Sequence, residues 1–151
     1  MKYTCKVVIN LPREKVIELF DNPDNMFKWQ PDLVSFEHIE GTPGEPGAKS
    51  KLTYDMKGRE TVLIETLTLK DLPERFEGTY DTKGIHNVIK NRFLDNDDGT
   101  TTWETTSEFQ MQGFFMKLMG FIAPGMFKKQ SALIQKRFKE FAENTGSDGK
   151  I

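Results

Sequence analysis

The residues best suited to chemistry in this 151-residue chain lie on one predicted strand, Ile85 to Leu94. His86 shares one face of that strand with a lysine and an arginine, while Asn87 and Asn91 fall on the opposite face. Because Lys and Arg are costly to bury, we expect their face to point to solvent, which turns both asparagines inward. An inward carboxamide needs hydrogen-bond partners. Two interpretations stay open: bonds to neighbouring strands or trapped water, or orientation of a bound ligand.

Acid–base catalysis has few candidates in this sequence. The same alternation places His86 on the solvent-exposed face, so it is a weaker candidate for a catalytic base. Glu60 and Glu65 lie on the predicted strand Arg59 to Lys70, whose two faces are both partly apolar, and a β-bulge would change which carboxylate points inward. We expect a solvated strand face for both; an inward carboxylate would have a raised pKa and would be the best general acid or base. We therefore assign no catalytic residue from the sequence, and we favour a protein that is not an enzyme.

The sequence also predicts no metal and no cofactor. Cys5 is the single cysteine, which excludes a disulfide framework and a cysteine-based metal site within one chain. The stretch 44–50 resembles a phosphate-binding loop only faintly, since Ala48 separates the glycine from the lysine and a predicted strand follows.

Composition limits the partners and the location. A formal net charge of −2 argues against general nucleic-acid binding. No stretch approaches the roughly eighteen apolar residues that a membrane span requires, and the first residues lack the apolar core of a signal peptide. The single cysteine suits a reducing compartment. We expect a cytoplasmic protein without a transmembrane segment.

Hydrophobic periodicity indicates the elements that must position the candidate residues. A first alternating strand leads into Pro12 and two short helices, the second from Met26 to Trp29, and about six further strands follow, joined mainly by hairpins. Helical spacing returns from Phe114 to Asn144, with Gly120 and Pro124 expected to break its front part. We predict one domain, residues 1–144, and a flexible tail, residues 145–151.

This order predicts an α+β fold in which a curved antiparallel sheet of about seven strands wraps around a long C-terminal helix. One helix rarely fills such a concave sheet, so we expect a cavity between them. Its mixture of rings, hydroxyls and amides would suit an apolar ligand with one or two polar groups, although ordinary core packing explains many of the same residues. The predicted cavity residues are Tyr54, Tyr80, Asn87, Asn91, Trp103, Thr105, Ser107, Phe109, Phe127 and Ile134.

The segment 114–127 is unusually rich in Phe and Met, and lysines follow it. Three interpretations stay open: core that caps the cavity mouth, a gate or homodimer contact, or a peripheral membrane contact. Residues predicted at the cavity mouth or gate are Trp29, Phe114, Met119 and Met126.

Three local motifs and their order resemble one known superfamily. They are the proline-led first helix Leu11 to Phe20, the stretch Asp21 to Asp32 with its tryptophan-ended second helix, and the glycine-rich link Gly41 to Lys49. Together they resemble the helix-grip fold of the START/SRPBCC superfamily, which includes START lipid-transfer, pollen-allergen-like and polyketide cyclase/dehydrase-like proteins. The resemblance covers nearly the whole chain and implies the fold and a cavity.

Fold alone does not decide function, because members of this superfamily range from carriers to enzymes. The leading hypothesis is binding or transport of a hydrophobic or amphipathic small molecule, such as a lipid, an isoprenoid or a polyketide-like ring. One alternative is a cyclase- or dehydratase-like enzyme that acts on such a ligand. Another is an interaction helper that acts through segment 114–127 at a partner or membrane surface.

Overall fold

A computed structural model of the chain describes residues 1–113 and 124–148. Within them, seven strands and three α-helices follow one another in the predicted order. The strands are β1 (Lys2–Ile9), β2 (Leu33–Glu40), β3 (Lys49–Met56), β4 (Arg59–Asp71), β5 (Arg75–Thr82), β6 (Ile85–Asp95) and β7 (Thr101–Met111). The helices are α1 (Arg13–Phe20), α2 (Met26–Trp29) and α3 (Pro124–Asp148), with a 3₁₀ turn at Pro23–Asn25.

All seven strands form one antiparallel sheet in the order β1-β7-β6-β5-β4-β3-β2. Strands β2 to β7 are therefore neighbours in both sequence and space, as hairpin connections require. Strand β1 joins the far side by pairing with β7, so that Lys2 lies opposite Glu108. This arrangement confirms the predicted α+β helix-grip fold.

Strand β7 shows why the sheet has one dry face. Its residues alternate between buried positions, which include Thr101, Trp103, Thr105 and Ser107, and more accessible polar positions between them. Successive side chains of a strand point to opposite faces, so this alternation places one buried row of β7 side chains on the face that meets the helices.

Aromatic rings from all three helices meet the sheet in one cluster. Phe20 of α1 lies 5.0 Å from Phe93 and 5.6 Å from Trp103, both on the sheet. The same ring lies 5.8 Å from Phe138 of α3 and 6.2 Å from Trp29 of α2. Ring pairs at these separations stabilise the contact beyond the area they bury. The cluster therefore fixes the three helices relative to the concave face of the sheet.

Helix α3 runs past the predicted end of the domain. We expected a flexible tail from residue 145, but the helix continues to Asp148 and Gly146 is buried in it. A Cβ added at Gly146 would lie 2.8 Å from the methyl groups of Leu11, so the helix end packs closely on the segment between β1 and α1. That contact holds a polar, glycine-containing sequence in helical form; residues 149–151 lie outside the described part.

The predicted apolar segment 114–127 lies mostly outside the described residues. Phe114 and Met119 belong to the part that is not described, so their predicted place at the cavity mouth stays a prediction, as does contact of this segment with a membrane or a second copy. None of the helices in the described ranges is both long and apolar enough to cross a bilayer.

Candidate ligand-binding cavity

A cavity of about 350 Å³ lies between the concave face of the sheet and α3. Its volume is within the usual range for small-molecule sites, roughly 300–1,000 Å³. Strands β3 to β7 supply most of the wall. The rest comes from the three helices, from Tyr3 of β1, and from Gln30 and Asp32 between α2 and β2. Described residues that line it are Tyr3, Phe20, Met26, Trp29, Gln30, Asp32, Leu52, Tyr54, Met56, Thr61, Leu63, Glu65, Tyr80, Thr82, Ile85, Asn87, Ile89, Asn91, Trp103, Thr105, Phe109, Phe127, Gln130, Ser131, Ile134, Gln135 and Arg137.

Strand alternation brings the predicted cavity residues together. All of them line the cavity except Ser107, whose side chain is fully buried beside the lining. Of the predicted mouth residues, Trp29 and Met126 lie in the described part of the chain. Trp29 is buried in the aromatic cluster and contributes to the inner wall, because α2 packs against Phe138. Met126 is 71% exposed and is not part of the lining, since one residue along the helix turns its side chain away from inward-facing Phe127.

Asn91 is bound by the protein itself. Its Nδ2 donates to the Phe76 carbonyl at 3.2 Å, and its Oδ1 accepts from Trp103 Nε1 at 2.9 Å and from Thr105 Oγ1 at 2.8 Å. Gln135 of α3 donates to the same Thr105 hydroxyl at 3.2 Å. The side chain joins β5, β6 and β7 to one another, which is the structural role that the sequence left open.

Asn87 differs from Asn91 although it lies on the same face of β6. Its Oδ1 is buried and has no hydrogen-bond partner among the described residues. Its neighbours across the sheet are Tyr80 and Phe109. A buried carbonyl oxygen without a partner costs free energy, roughly 1–3 kcal/mol by mutational measures. Such a group on a cavity wall is available to a ligand or to water.

Glu65 faces the cavity, which corrects the expected solvated position. Its Oε2 accepts a hydrogen bond of 2.7 Å from the hydroxyl of Tyr80, its partner across β4 and β5. Burial raises the pKa of Glu65, while the Tyr80 hydrogen bond opposes that change. Burial and the nearby Glu65 carboxyl raise the pKa values of Tyr54 and Tyr80. The wall therefore contains a carboxyl group that is shielded from solvent and hydrogen-bonded to the phenol of Tyr80.

The other sequence candidates for acid–base chemistry lie outside the cavity. Glu60 is exposed on the same strand as Glu65. His86 lies on the outward face of β6, where its Nδ1 is 2.6 Å from Oδ1 of Asp81, its partner across the sheet. The inward and outward faces of β6 are therefore as predicted.

Residues near α2 and α3 add polar groups that the sequence patterns did not indicate. Gln30 accepts a 2.7 Å hydrogen bond from Tyr54, and Asp32 Oδ2 lies 3.8 Å from Nη1 of Arg137. Gln30 and Asp32 lie between elements and follow no periodicity. Helical spacing from Ile134 could have indicated Arg137, and also Gln130 and Ser131, since residues three or four apart share a helix face.

Among the described residues, no group of three or more His, Cys, Asp or Glu side chains is placed to hold a metal ion.

Comparison with known proteins agrees with this architecture. No curated protein matches the chain. Among solved structures, Ara h 8.0201 is 16% identical with a TM-score of 0.75, over 94% of this chain and 97% of that one. The Zhui aromatase/cyclase from Streptomyces sp. R1128 is 13% identical with a TM-score of 0.77, over 95% and 93% of the two chains. A START superfamily protein from Mycobacterium smegmatis is 9% identical with a TM-score of 0.70, over 93% and 98%.

At these identities the structural neighbours show the shared fold alone. The family assignment comes from the sequence, since residues 1–143 match the family described as polyketide cyclase / dehydrase and lipid transport. That match spans nearly the whole chain, from β1 into the last turns of α3. The chain therefore belongs to the polyketide cyclase / dehydrase and lipid transport family of the START/SRPBCC superfamily.

Proposed function

We propose that this protein binds or transports a hydrophobic or amphipathic small molecule in the cavity between the sheet and α3. The observation that supports this most directly is the cavity itself, about 350 Å³ and lined mainly by apolar and aromatic side chains. Apolar cavities of about 150 Å³ hold benzene. A ligand of about two rings, or an alkyl chain of similar volume, is therefore the expected size.

The distribution of polar groups supports an amphipathic ligand. The surface of the described lining is mainly apolar, with Leu63, Ile89, Phe127 and Ile134 among its residues, and polar atoms contribute a small share of it. Apolar surface would supply most of the affinity, at about 25 cal/mol for each Å² removed from water. The few polar groups would fix the orientation of the ligand.

The test is native mass spectrometry of gently purified protein, followed by thermal-shift measurements with a library of lipids, isoprenoids and aromatic compounds. We expect an added mass or a stabilising compound. The variant Ile134→Trp places a large ring in the cavity and should abolish both signals. Leu133→Trp, at the exposed neighbouring position on α3, is the matched control and should retain them. Equal binding by both variants, or no ligand for the wild-type protein in either assay, would contradict the proposal.

Glu65 supports a second candidate, an enzyme of the cyclase or dehydratase type. A general acid or base must reach the reacting atoms and have a pKa near the working pH. Glu65 lies in the cavity, and burial raises its pKa. Once a ligand is known, its turnover should be lost in Glu65→Gln while its binding persists. Turnover that survives this substitution would exclude Glu65 as the acid or base.

A further inference from the structure

The wall of the cavity has a polar row that crosses four strands. Glu65 of β4 lies opposite Tyr80 of β5, Tyr80 lies opposite Asn87 of β6, and Asn87 lies opposite Phe109 of β7. All four side chains line the cavity. Neighbouring strands are about 4.8 Å apart, so the row forms one short polar strip that ends at an aromatic ring.

One polar residue of this row makes no hydrogen bond with the other members. Tyr80 donates to Glu65 at 2.7 Å, so these two groups satisfy each other in part. Asn87 makes no hydrogen bond with the described residues, and its Oδ1 is buried. A carboxamide offers two donors and an acceptor. Asn87 is therefore the member of the row with the most unused capacity to bind a ligand.

The charges of the lining residues restrict the ligand further. Arg137 is the one basic side chain in the described lining, and Asp32 lies 3.8 Å from it. Glu65 and Asp32 are the acidic lining residues, so the described lining has no surplus positive charge. An anion transferred from water into such a site would lose its hydration without gaining a free cation as partner.

We propose that the cavity selects a neutral ligand with a hydroxyl group, an alcohol or phenol, whose hydroxyl pairs with Asn87, and that it rejects the matching carboxylate. A hydroxyl both donates and accepts, so it pairs with either end of a carboxamide. This inference rests on the proposed binding function and adds the polar chemistry of the ligand and the residue that recognises it.

Three probes that share one ring system separate these contributions: naphthalene, 2-naphthol and 2-naphthoate. Isothermal titration calorimetry on the full chain would measure the affinity of each. A buried hydrogen bond contributes on the order of 1 kcal/mol, so we expect 2-naphthol to bind about fivefold more tightly than naphthalene. We expect 2-naphthoate to bind at least about tenfold more weakly than naphthalene, because its charge must be desolvated.

Variants on β6 and β4 test the residue assignment. Asn87→Leu, which keeps the number and branching of the side-chain heavy atoms, should remove the preference for 2-naphthol over naphthalene. Asn87→Ala tests the same point if the larger leucine side chain prevents folding or blocks the cavity. Val88→Leu, the next residue of β6 and not part of the described lining, is the matched control and should keep the preference. Glu65→Gln should reduce the discrimination against 2-naphthoate.

Three outcomes would overturn the inference: tight binding of 2-naphthoate, equal binding of 2-naphthol and naphthalene by the wild-type protein, or a full preference for 2-naphthol in Asn87→Leu. Naphthalene binding without discrimination would overturn this inference while supporting the proposed binding function. Folded protein that binds none of the probes and carries no added mass by native mass spectrometry would count against both.

Discussion

Two asparagines on one face of one strand have different roles in this structure. Asn91 makes three hydrogen bonds within the protein, whereas Asn87, four residues away, makes none with described residues. We expect Asn91→Ala to lower the free energy of unfolding by about 2–4 kcal/mol, because it leaves the buried donors of Trp103 and Thr105 without an acceptor.

Asn87→Ala is the matched control for that substitution. It removes no hydrogen bond to a described residue, so its expected cost is within about 1 kcal/mol. Urea denaturation followed by tryptophan fluorescence would measure both. Equal losses of stability in the two variants would show that Asn91 does not have the structural role that its hydrogen bonds indicate.

Glu65 gives the protein a pH dependence whose sign follows from its raised pKa. Burial raises that pKa above the usual value of 4.5, so the folded state binds the proton more tightly than the unfolded state. The stabilising contribution is therefore complete below pH 4.5 and is lost as the pH rises through the folded-state pKa. Each unit of difference between the two pKa values corresponds to about 1.4 kcal/mol.

The variant Glu65→Gln removes this titration while keeping an acceptor for Tyr80. As the pH rises from 4.5 to 8, we expect wild-type protein to lose stability relative to Glu65→Gln in chemical denaturation. Glu60→Gln, an exposed carboxyl on the same strand, is the control. A wild-type stability that rises relative to Glu65→Gln over this range would reverse the sign and contradict the burial of the carboxyl.

Sequence patterns predicted correctly which way some of these side chains point and failed for others, and the difference has a physical cause. The inward face of β6 was predictable because Lys90 and Arg92 mark the opposite face as solvent-exposed. On β4 both faces carry apolar residues, and the register shifts between Leu67 and Leu69, so alternation alone did not identify Glu65 as inward. Whether an inward amide is satisfied depends on neighbouring strands, which no single-strand pattern describes.

At the scale of elements, the end of α3 depends on tertiary packing rather than on local propensity. Residues 145–148 are polar and include a glycine, which favours a frayed end in an isolated helix. In the fold, the missing side chain of Gly146 is what allows the helix to approach Leu11. The boundary was therefore predicted too early because the favourable contact is with a residue far away in sequence.

The two glycines of α3 give a matched test of this packing. A Cβ at Gly146 would lie 2.8 Å from the Leu11 methyl groups, whereas a Cβ at Gly125 would have no neighbour within 4 Å. We expect Gly146→Val to destabilise the protein by about 1–3 kcal/mol through overpacking, and by more than Gly125→Val does. Thermal unfolding followed by circular dichroism would compare them; equal melting temperatures would indicate that the helix end is not packed in this way.

At the scale of the whole molecule, the order of the strands has a consequence for how the chain folds. Strands β2 to β7 form hairpins between consecutive segments, but β1 must find β7 across more than a hundred residues, with Lys2 opposite Glu108. Helix α3 holds the same strand through Tyr3, whose hydroxyl lies 2.7 Å from Ser131 Oγ. Pairings that are distant in sequence carry the larger loop-closure cost and slow folding.

We therefore expect the six-strand meander to form first and β1 to dock late, together with α3. Ile9→Val in β1 and Ile89→Val in β6 make the same change on the two sides of this division, at an expected cost of about 0.5–1.5 kcal/mol each. In stopped-flow kinetics, Ile9→Val should mainly speed unfolding, whereas Ile89→Val should also slow folding. Slower folding in Ile9→Val would instead place β1 in the folding nucleus.

If β1 docks late, the cavity becomes enclosed only in the final step of folding. A ligand present during folding would then bind at the part of the sheet that forms last.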